Sequence, residues 1–200
     1  MDAVYPVAGL VTVAAITPGP NNFAILQIAA RGGLVLSLPS IAGIVTGGLV
    51  MVLLNLLGLG AWIGSEPSVG RWIAGIGSAY LLWLAWQLVF PRAGNASTDG
   101  DAPASTLPIG AWPLFAFQFL NPKAWVLVLT ATAAFQLAQF GAGDLALLLL
   151  VFIVIPTACL LVWSLFGTLA SRLLANATAA RAFDRALGLL LAASIVFLWR

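Results

Sequence analysis

Thr17-Pro18-Gly19-Pro20-Asn21-Asn22 interrupts the first apolar run of this chain, and Phe119-Leu120-Asn121-Pro122-Lys123 interrupts a later one. Two prolines within three residues remove two amide donors, and their rings exclude the usual helical partners. The carbonyls of Ala14 and Ile16 are therefore expected to lose their i to i+4 bonds, and Pro122 is expected to free the carbonyl of Gln118 in the same way. In hydrocarbon each unsatisfied backbone group costs several kcal/mol, so such breaks survive only when buried in protein or lining a wet cavity. Whether hydrocarbon surrounds them is decided by the rest of the chain.

Of the 200 residues, 62% are hydrophobic and 7% are charged, with a mean hydropathy of +1.08. Globular proteins carry about 25% charged residues, so this chain cannot cover a water-facing surface. Disorder demands the reverse composition. The expected solvent is the lipid bilayer. A formal charge of +2, scattered along the chain, gives no reason to expect a nucleic-acid partner. With one cysteine, Cys159, and no histidine, neither an intrachain disulfide nor a transition-metal site is expected, and no cofactor is indicated. Asp2 and the lack of a basic residue before the first apolar run argue against a cleaved signal peptide, so that run is expected to be retained as a span.

A spanning helix needs about 20 apolar residues. The runs between charged residues then predict six helices, near residues 4–30, 38–63, 71–90, 110–140, 145–170 and 180–199. Residues 91–108, PRAGNASTDGDAPASTLP, mix proline, glycine, serine and charges without an apolar period and read as a linker. It separates a first membrane unit, 1–90, from a second, 109–200. Three spans in each unit force homologous halves into opposite orientations. The expected fold is an all-α integral membrane protein with six transmembrane helices arranged as two inverted three-helix repeats. Placing both termini outside puts Arg31, Arg92, Arg172, Arg181 and Arg185 on the cytoplasmic side, with the linker, and leaves Arg71 and Arg200 outside, as the positive-inside rule favours. Trp62, Trp72, Trp112 and Trp199 fall near span ends, where indoles suit the interface.

Thr17 follows Val4 by 13 residues, and Lys123 follows Gly110 by 13. At about 1.5 Å per residue each break lies roughly 20 Å from its own face of a core about 30 Å thick, so breaks approached from opposite faces overlap near the midplane. Paired interruptions in corresponding helices point to a transporter's binding site. A lone proline would read as a kink; two matched breaks with asparagines and a lysine favour function. Amides at Asn22 and Phe23, where a helix restarts, would suit an anion, freed carbonyls would suit an ammonium, and Thr17, Asn21, Asn22 and Asn121 can complete either shell. Lys123 is the one charge well inside a predicted span, costly unless it faces a cavity or a partner. It reads either as the partner of a cargo carboxylate or as a group that gains and loses a proton; snorkelling from this depth is marginal. The small residues Gly43, Gly47, Gly60 and Gly64 read as helix packing, and Asp184, between Arg181 and Arg185, as a local ion pair.

TPGPN at residues 17–21, the pair Gly43 and Gly47, and FLNPKAW at residues 119–125 resemble the LysE/RhtB superfamily of bacterial amino-acid exporters, over essentially the whole chain. The resemblance implies a six-helix, multi-pass protein of the bacterial inner membrane that exports amino acids or related small metabolites against proton entry. It implies a central substrate site at Thr17, Pro18, Gly19, Pro20, Asn21, Asn22, Asn121, Pro122 and Lys123. The chain departs from the common family pattern in having the single basic residue Arg31 after the first span.

The expected activity is therefore export of small zwitterionic metabolites by alternating access, with an amino-acid cargo and the lipid bilayer as partners; homo-oligomerisation stays open. An intramembrane enzyme would need a nucleophile with its base, and the spans hold no histidine and no carboxylate pair. Two alternatives remain. A cation exporter would need acidic or sulfur ligands within the spans, where only Cys159 is available. A non-transporting scaffold would tolerate leucine at Asn21 and Asn121.

Overall fold

The computed structural model describes residues 4–90, 108–137, 142–171 and 177–196. Residues 91–107 of the expected linker, 91–108, lie outside the described residues, as do Asp2, Arg92, Arg172, Trp199 and Arg200. The described chain is helical, with α1 at Val4–Ile16, α2 at Pro20–Leu54, a π-helical turn at Asn55–Leu59, α3 at Gly60–Ser65, α4 at Pro67–Val89, α5 at Ala111–Phe119, α6 at Pro122–Leu137, α7 at Ala142–Ala170 and α8 at Ala177–Val196. No β-strand occurs among the described residues.

Three stretches are individually long and apolar enough to cross a bilayer: Pro20–Ser65, Pro67–Val89 and Gly143–Ala170. A fourth span results if α5 and α6, bent by 68° at their junction, are taken together. These helices make the chain an α-helical, multi-pass membrane protein. The remaining expected spans fall short alone for visible reasons. α1 has 13 residues, about 20 Å of helix, and α8 carries Arg181, Asp184 and Arg185 in its first half.

Where a loop was expected at residues 31–37, helix continues. Gly33 takes φ 75°, ψ −178°, and the chain bends there within one residue instead of leaving the helix for several. A positive φ of this kind is open to glycine and costly for other residues. Gly58, at φ 116°, relieves the π-helical turn similarly.

Close packing gathers the helices around the two breaks. A Cβ on Gly43 would lie 2.0 Å from the Ala111 carbonyl oxygen, and one on Gly47 would lie 2.7 Å from Gln118 Cγ and 2.8 Å from the Phe115 carbonyl oxygen. Small residues at this spacing let α2 and α5 touch backbone to backbone. Gly60 and Gly64 do not serve that end: a Cβ on Gly60 would meet Asn55 Oδ1, one turn back on the same stretch of chain, and one on Gly64 would meet nothing within 4 Å. Gly77 brings α4 to the second break, with a Cβ there only 2.7 Å from the Leu120 carbonyl oxygen. Gly167 brings α7 against the backbone of Leu26, and nearby the fully buried hydroxyls of Ser37 and Ser164 bond each other at 2.7 Å. Asp184 has long-range partners where a local pair was expected: Arg31 Nη2 donates to Oδ2 at 2.7 Å and the wholly buried Gln27 Nε2 to Oδ1 at 2.9 Å, because α8 lies beside the first part of α2.

Candidate functional site

At the first break, α1 ends at Ile16, Gly19 is extended, and Pro20 opens α2 as its first residue. Proline suits that position because its fixed φ is helical and the missing amide would be unpaired anyway. The helix restarts earlier than expected: Phe23 N donates to the Gly19 carbonyl at 3.0 Å, so the amides without a partner among the described residues are those of Asn21 and Asn22 rather than Asn22 and Phe23. The carbonyls drawn into the site also differ from Ala14 and Ile16. Asn22, in the first turn of α2, reaches back so that Nδ2 donates to the Ala15 carbonyl at 3.0 Å and to the Thr17 carbonyl at 2.9 Å.

At the second break, Asn121 caps α6. Its Oδ1 accepts from the Lys123 amide at 3.1 Å while Pro122 fills the first helical position, so Asn-Pro-Lys is a helix start built from an N-cap and an N1 proline. The Gln118 carbonyl, expected to be free, is taken by the Asn121 amide at 3.1 Å, because the chain closes a tight turn here instead of leaving the carbonyl open. Trp125 Nε1 donates to the Phe119 carbonyl at 3.0 Å, satisfying another group left over at the end of α5. This is how the backbone polar groups of a break inside hydrocarbon are paid for.

The two breaks meet. Lys123 Nζ donates to the Thr17 carbonyl at 2.7 Å. A Cβ on Gly19 would lie 2.9 Å from that ammonium and 3.1 Å from Lys123 Cδ, so glycine is what lets the lysine side chain cross the first break. Asn121 Nδ2 donates to Asn21 Oδ1 at 3.0 Å. Asn21 and Gln118 exchange two bonds, Asn21 Nδ2 to Gln118 Oε1 and Gln118 Nε2 to Asn21 Oδ1, both at 3.0 Å. Of the nine expected residues, Thr17, Asn21, Asn22, Asn121 and Lys123 are tied into one network, Pro20 and Pro122 start the two helices, Gly19 provides clearance, and Pro18 borders a cavity beside it. Gln118 belongs to the network and was missed by the sequence reading, although a lone amide in the apolar stretch of α5 was a visible signal.

Two cavities flank the junction. One, of about 80 Å³, is bordered by Asn21, Asn22, Asn121 and Lys123 together with Leu127 and Phe152 of α6 and α7. The other, of about 580 Å³, is bordered by Thr17, Pro18, Pro122 and Lys123 together with Leu81 of α4 and Ser194 of α8. Lys123 borders both and is the one charged residue among the described residues that line them. Its ammonium has two hydrogens beyond the one given to Thr17. Asn22 is 5% exposed and both its Nδ2 hydrogens are committed to carbonyls, so Oδ1 is left as an acceptor without a partner among the described residues. A fixed cation and an unpartnered acceptor thus border the same small cavity.

Apolar helices broken at a shared polar junction, with a cavity on either side, are the arrangement expected of a membrane translocator. The chain belongs to the LysE type translocator family, whose sequence signature matches residues 12–198. It is similar to the cysteine/O-acetylserine efflux protein of Salmonella typhimurium (strain LT2), at 32% identity over 189 residues, and to that of Escherichia coli O6:H1 (strain CFT073), at 32% identity over 190 residues. Both alignments cover 92% of this chain and 89% of the relative. No solved structure matches the chain significantly.

Proposed function

We propose that the protein exports small amino acids with short, uncharged side chains, of the cysteine and O-acetylserine kind, across the bacterial cell membrane, with the network between the two breaks as the cargo site. The observation that carries this reading is the Lys123 ammonium held at the junction beside the free Asn22 Oδ1. A zwitterion entering the small cavity would place its carboxylate on Lys123 and the unpartnered Asn21 and Asn22 amides at the start of α2, where the helix dipole favours an anion. Its ammonium would be received by Asn22 Oδ1. Among the described residues the cavity lining offers no carboxylate to a cationic side chain, which fits the cargo named for the relatives.

The architecture proposed for this work is six spans in two inverted repeats. The first span joins α1 to α2 as far as Gly33, the second runs on to Ser65, α4 is the third, α5 with α6 the fourth, α7 the fifth and α8 the sixth. Packing supports the pseudo-dyad. α5, the leading half of the second broken span, lies on α2, and α1, the leading half of the first, lies on α7, so exchanging the halves exchanges these contacts. Alternating access would then tilt one repeat against the other around the junction. With Arg31 and the linker inside and both termini outside, proton entry would drive export.

Counterflow in proteoliposomes tests the proposal, using labelled cysteine, O-acetylserine, alanine, lysine and glutamate with a pH gradient imposed or collapsed. Uptake of the small neutral members, stimulated by the gradient, is expected. Failure to exchange any member would favour a scaffold, and exchange of lysine in preference to cysteine would overturn the cargo assignment.

A further inference from the structure

We propose that Gln118 is a specificity-determining residue of the transport site, acting through Asn21: it locks the Asn21 carboxamide so that this side chain meets the cargo as a hydrogen-bond donor. The inference rests on the cargo site proposed above and adds a residue and a polarity to it.

The orientation of every amide in the network follows from backbone groups that have no choice of role. At one end the Lys123 N–H can only donate, so the Asn121 atom facing it is Oδ1 and the atom facing Asn21 is Nδ2. Nδ2 can only donate, so the Asn21 atom it meets is Oδ1. At the other end the Leu114 carbonyl can only accept, so the Gln118 atom facing it at 3.2 Å is Nε2. The same nitrogen donates to Asn21 Oδ1, and Gln118 Oε1 is left to accept from Asn21 Nδ2. The two ends agree on one arrangement. Asn21 Oδ1 then accepts from both Gln118 and Asn121, which fills its two lone pairs, and one Nδ2 hydrogen is used. What Asn21 retains is a single N–H, and Asn21 borders the small cavity.

Gln118 is 2% exposed and is held in place by close packing at Gly47, so it touches the cargo only through Asn21. Without it, Asn21 is held by Asn121 alone, an oxygen lone pair is released, and the carboxamide is free to turn its oxygen toward the cavity. A donor at this place favours a carboxylate, whereas an oxygen repels a carboxylate and welcomes the N–H of a carboxamide. Gln118 therefore makes the site prefer a free amino acid over its amide.

Gln118→Met keeps the volume and removes both bonds to Asn21. In proteoliposomes exchanging labelled cysteine, unlabelled cysteine and cysteinamide are compared as competitors. The variant is expected to raise KM for cysteine about tenfold with a smaller change in maximal rate, and to lower the acid-over-amide preference about tenfold, the scale of one lost hydrogen bond to a charged group. A purely structural role would lower both competitors' apparent affinities, or the amount of active protein, and leave their ratio unchanged; that result overturns the inference. Should Gln118→Met not reach the membrane, Gln118→Leu, which also removes both bonds to Asn21, is expected to lose the preference too. The lock is also read without cargo from the side-chain amide resonances of Asn21. The wild type should show one slowly exchanging Nδ2 hydrogen that becomes fast in Gln118→Met, and two fast hydrogens in the wild type would refute it. A wild type that exchanges no cysteine while showing the slow hydrogen would instead count against the proposed cargo.

Discussion

The Lys123 ammonium donates to the Thr17 carbonyl across 2.7 Å, joining a residue of the second break to a residue of the first, 106 positions away in the chain. Neither group has an ordinary helical role. Thr17 follows the last residue of α1, and Lys123 is the second residue of α6. The bond satisfies a carbonyl that the break leaves between α1 and α2 and holds a cation beside a cavity, two conditions under which a charge in a membrane is tolerated.

Gly19→Ala tests the clearance this bond needs. The added Cβ would lie 2.9 Å from Nζ and 3.1 Å from Cδ, so the lysine must leave the Thr17 carbonyl while its flexible side chain spares the fold. Losing a charge-assisted hydrogen bond costs about 2 kcal/mol. Transport is expected to fall at least about tenfold with the amount of membrane-inserted protein unchanged; full activity would show that the Thr17 contact does not matter.

The breaks were legible in the sequence because proline leaves no ambiguity about which amide is missing, and the helices do end and restart at those prolines. Which carbonyls would be used was not legible, since that depends on the extended conformation of Gly19 and on the reach of Asn22, tertiary facts that local proline rules do not contain. Gln118 escaped for a related reason: a glutamine in an apolar helix reads as a tolerated polar residue until the opposing asparagine is in place. Asp184 had arginines as close chain neighbours, and only the docking of α8 beside α2 reveals Arg31 as its partner.

Asn121→Leu removes the cap of α6 and the bond to Asn21 at once. Loss of an N-cap costs about 1 kcal/mol, which lowers the melting temperature of a chain this size by about 2–4 °C. Melting in detergent should show a drop at least this large, and transport should be lost. A scaffold would show the thermal change without any transport to lose.

The Arg31–Asp184 pair, at 15% and 16% side-chain exposure, is expected to stabilise the docking of α8. Asp184→Asn should lower stability by about 2 kcal/mol, measured as detergent melting, and exchanging the two charges in Arg31→Asp with Asp184→Arg should recover part of it. Equal losses in single and double variants would mean that the pair contributes no mutual attraction.

Gly43→Ala places a Cβ where the Ala111 carbonyl oxygen would be 2.0 Å away, whereas Gly75 has nothing within 4 Å of its would-be Cβ. Gly43→Ala is expected to reduce folded protein by separating α2 from α5, at a cost on the scale of overpacking, about 1–3 kcal/mol. Gly75→Ala should be neutral or slightly stabilising through helix propensity. Size-exclusion recovery and detergent melting of the two variants side by side check this directly.

The most direct test of the junction as the cargo site is counterflow of labelled cysteine into proteoliposomes by the wild type and by Lys123→Ala, with equal incorporation verified by quantitative blotting. The wild type is expected to exchange cysteine and Lys123→Ala to show none above protein-free vesicles. Exchange by Lys123→Ala at the wild-type rate and affinity would contradict the assignment of the site.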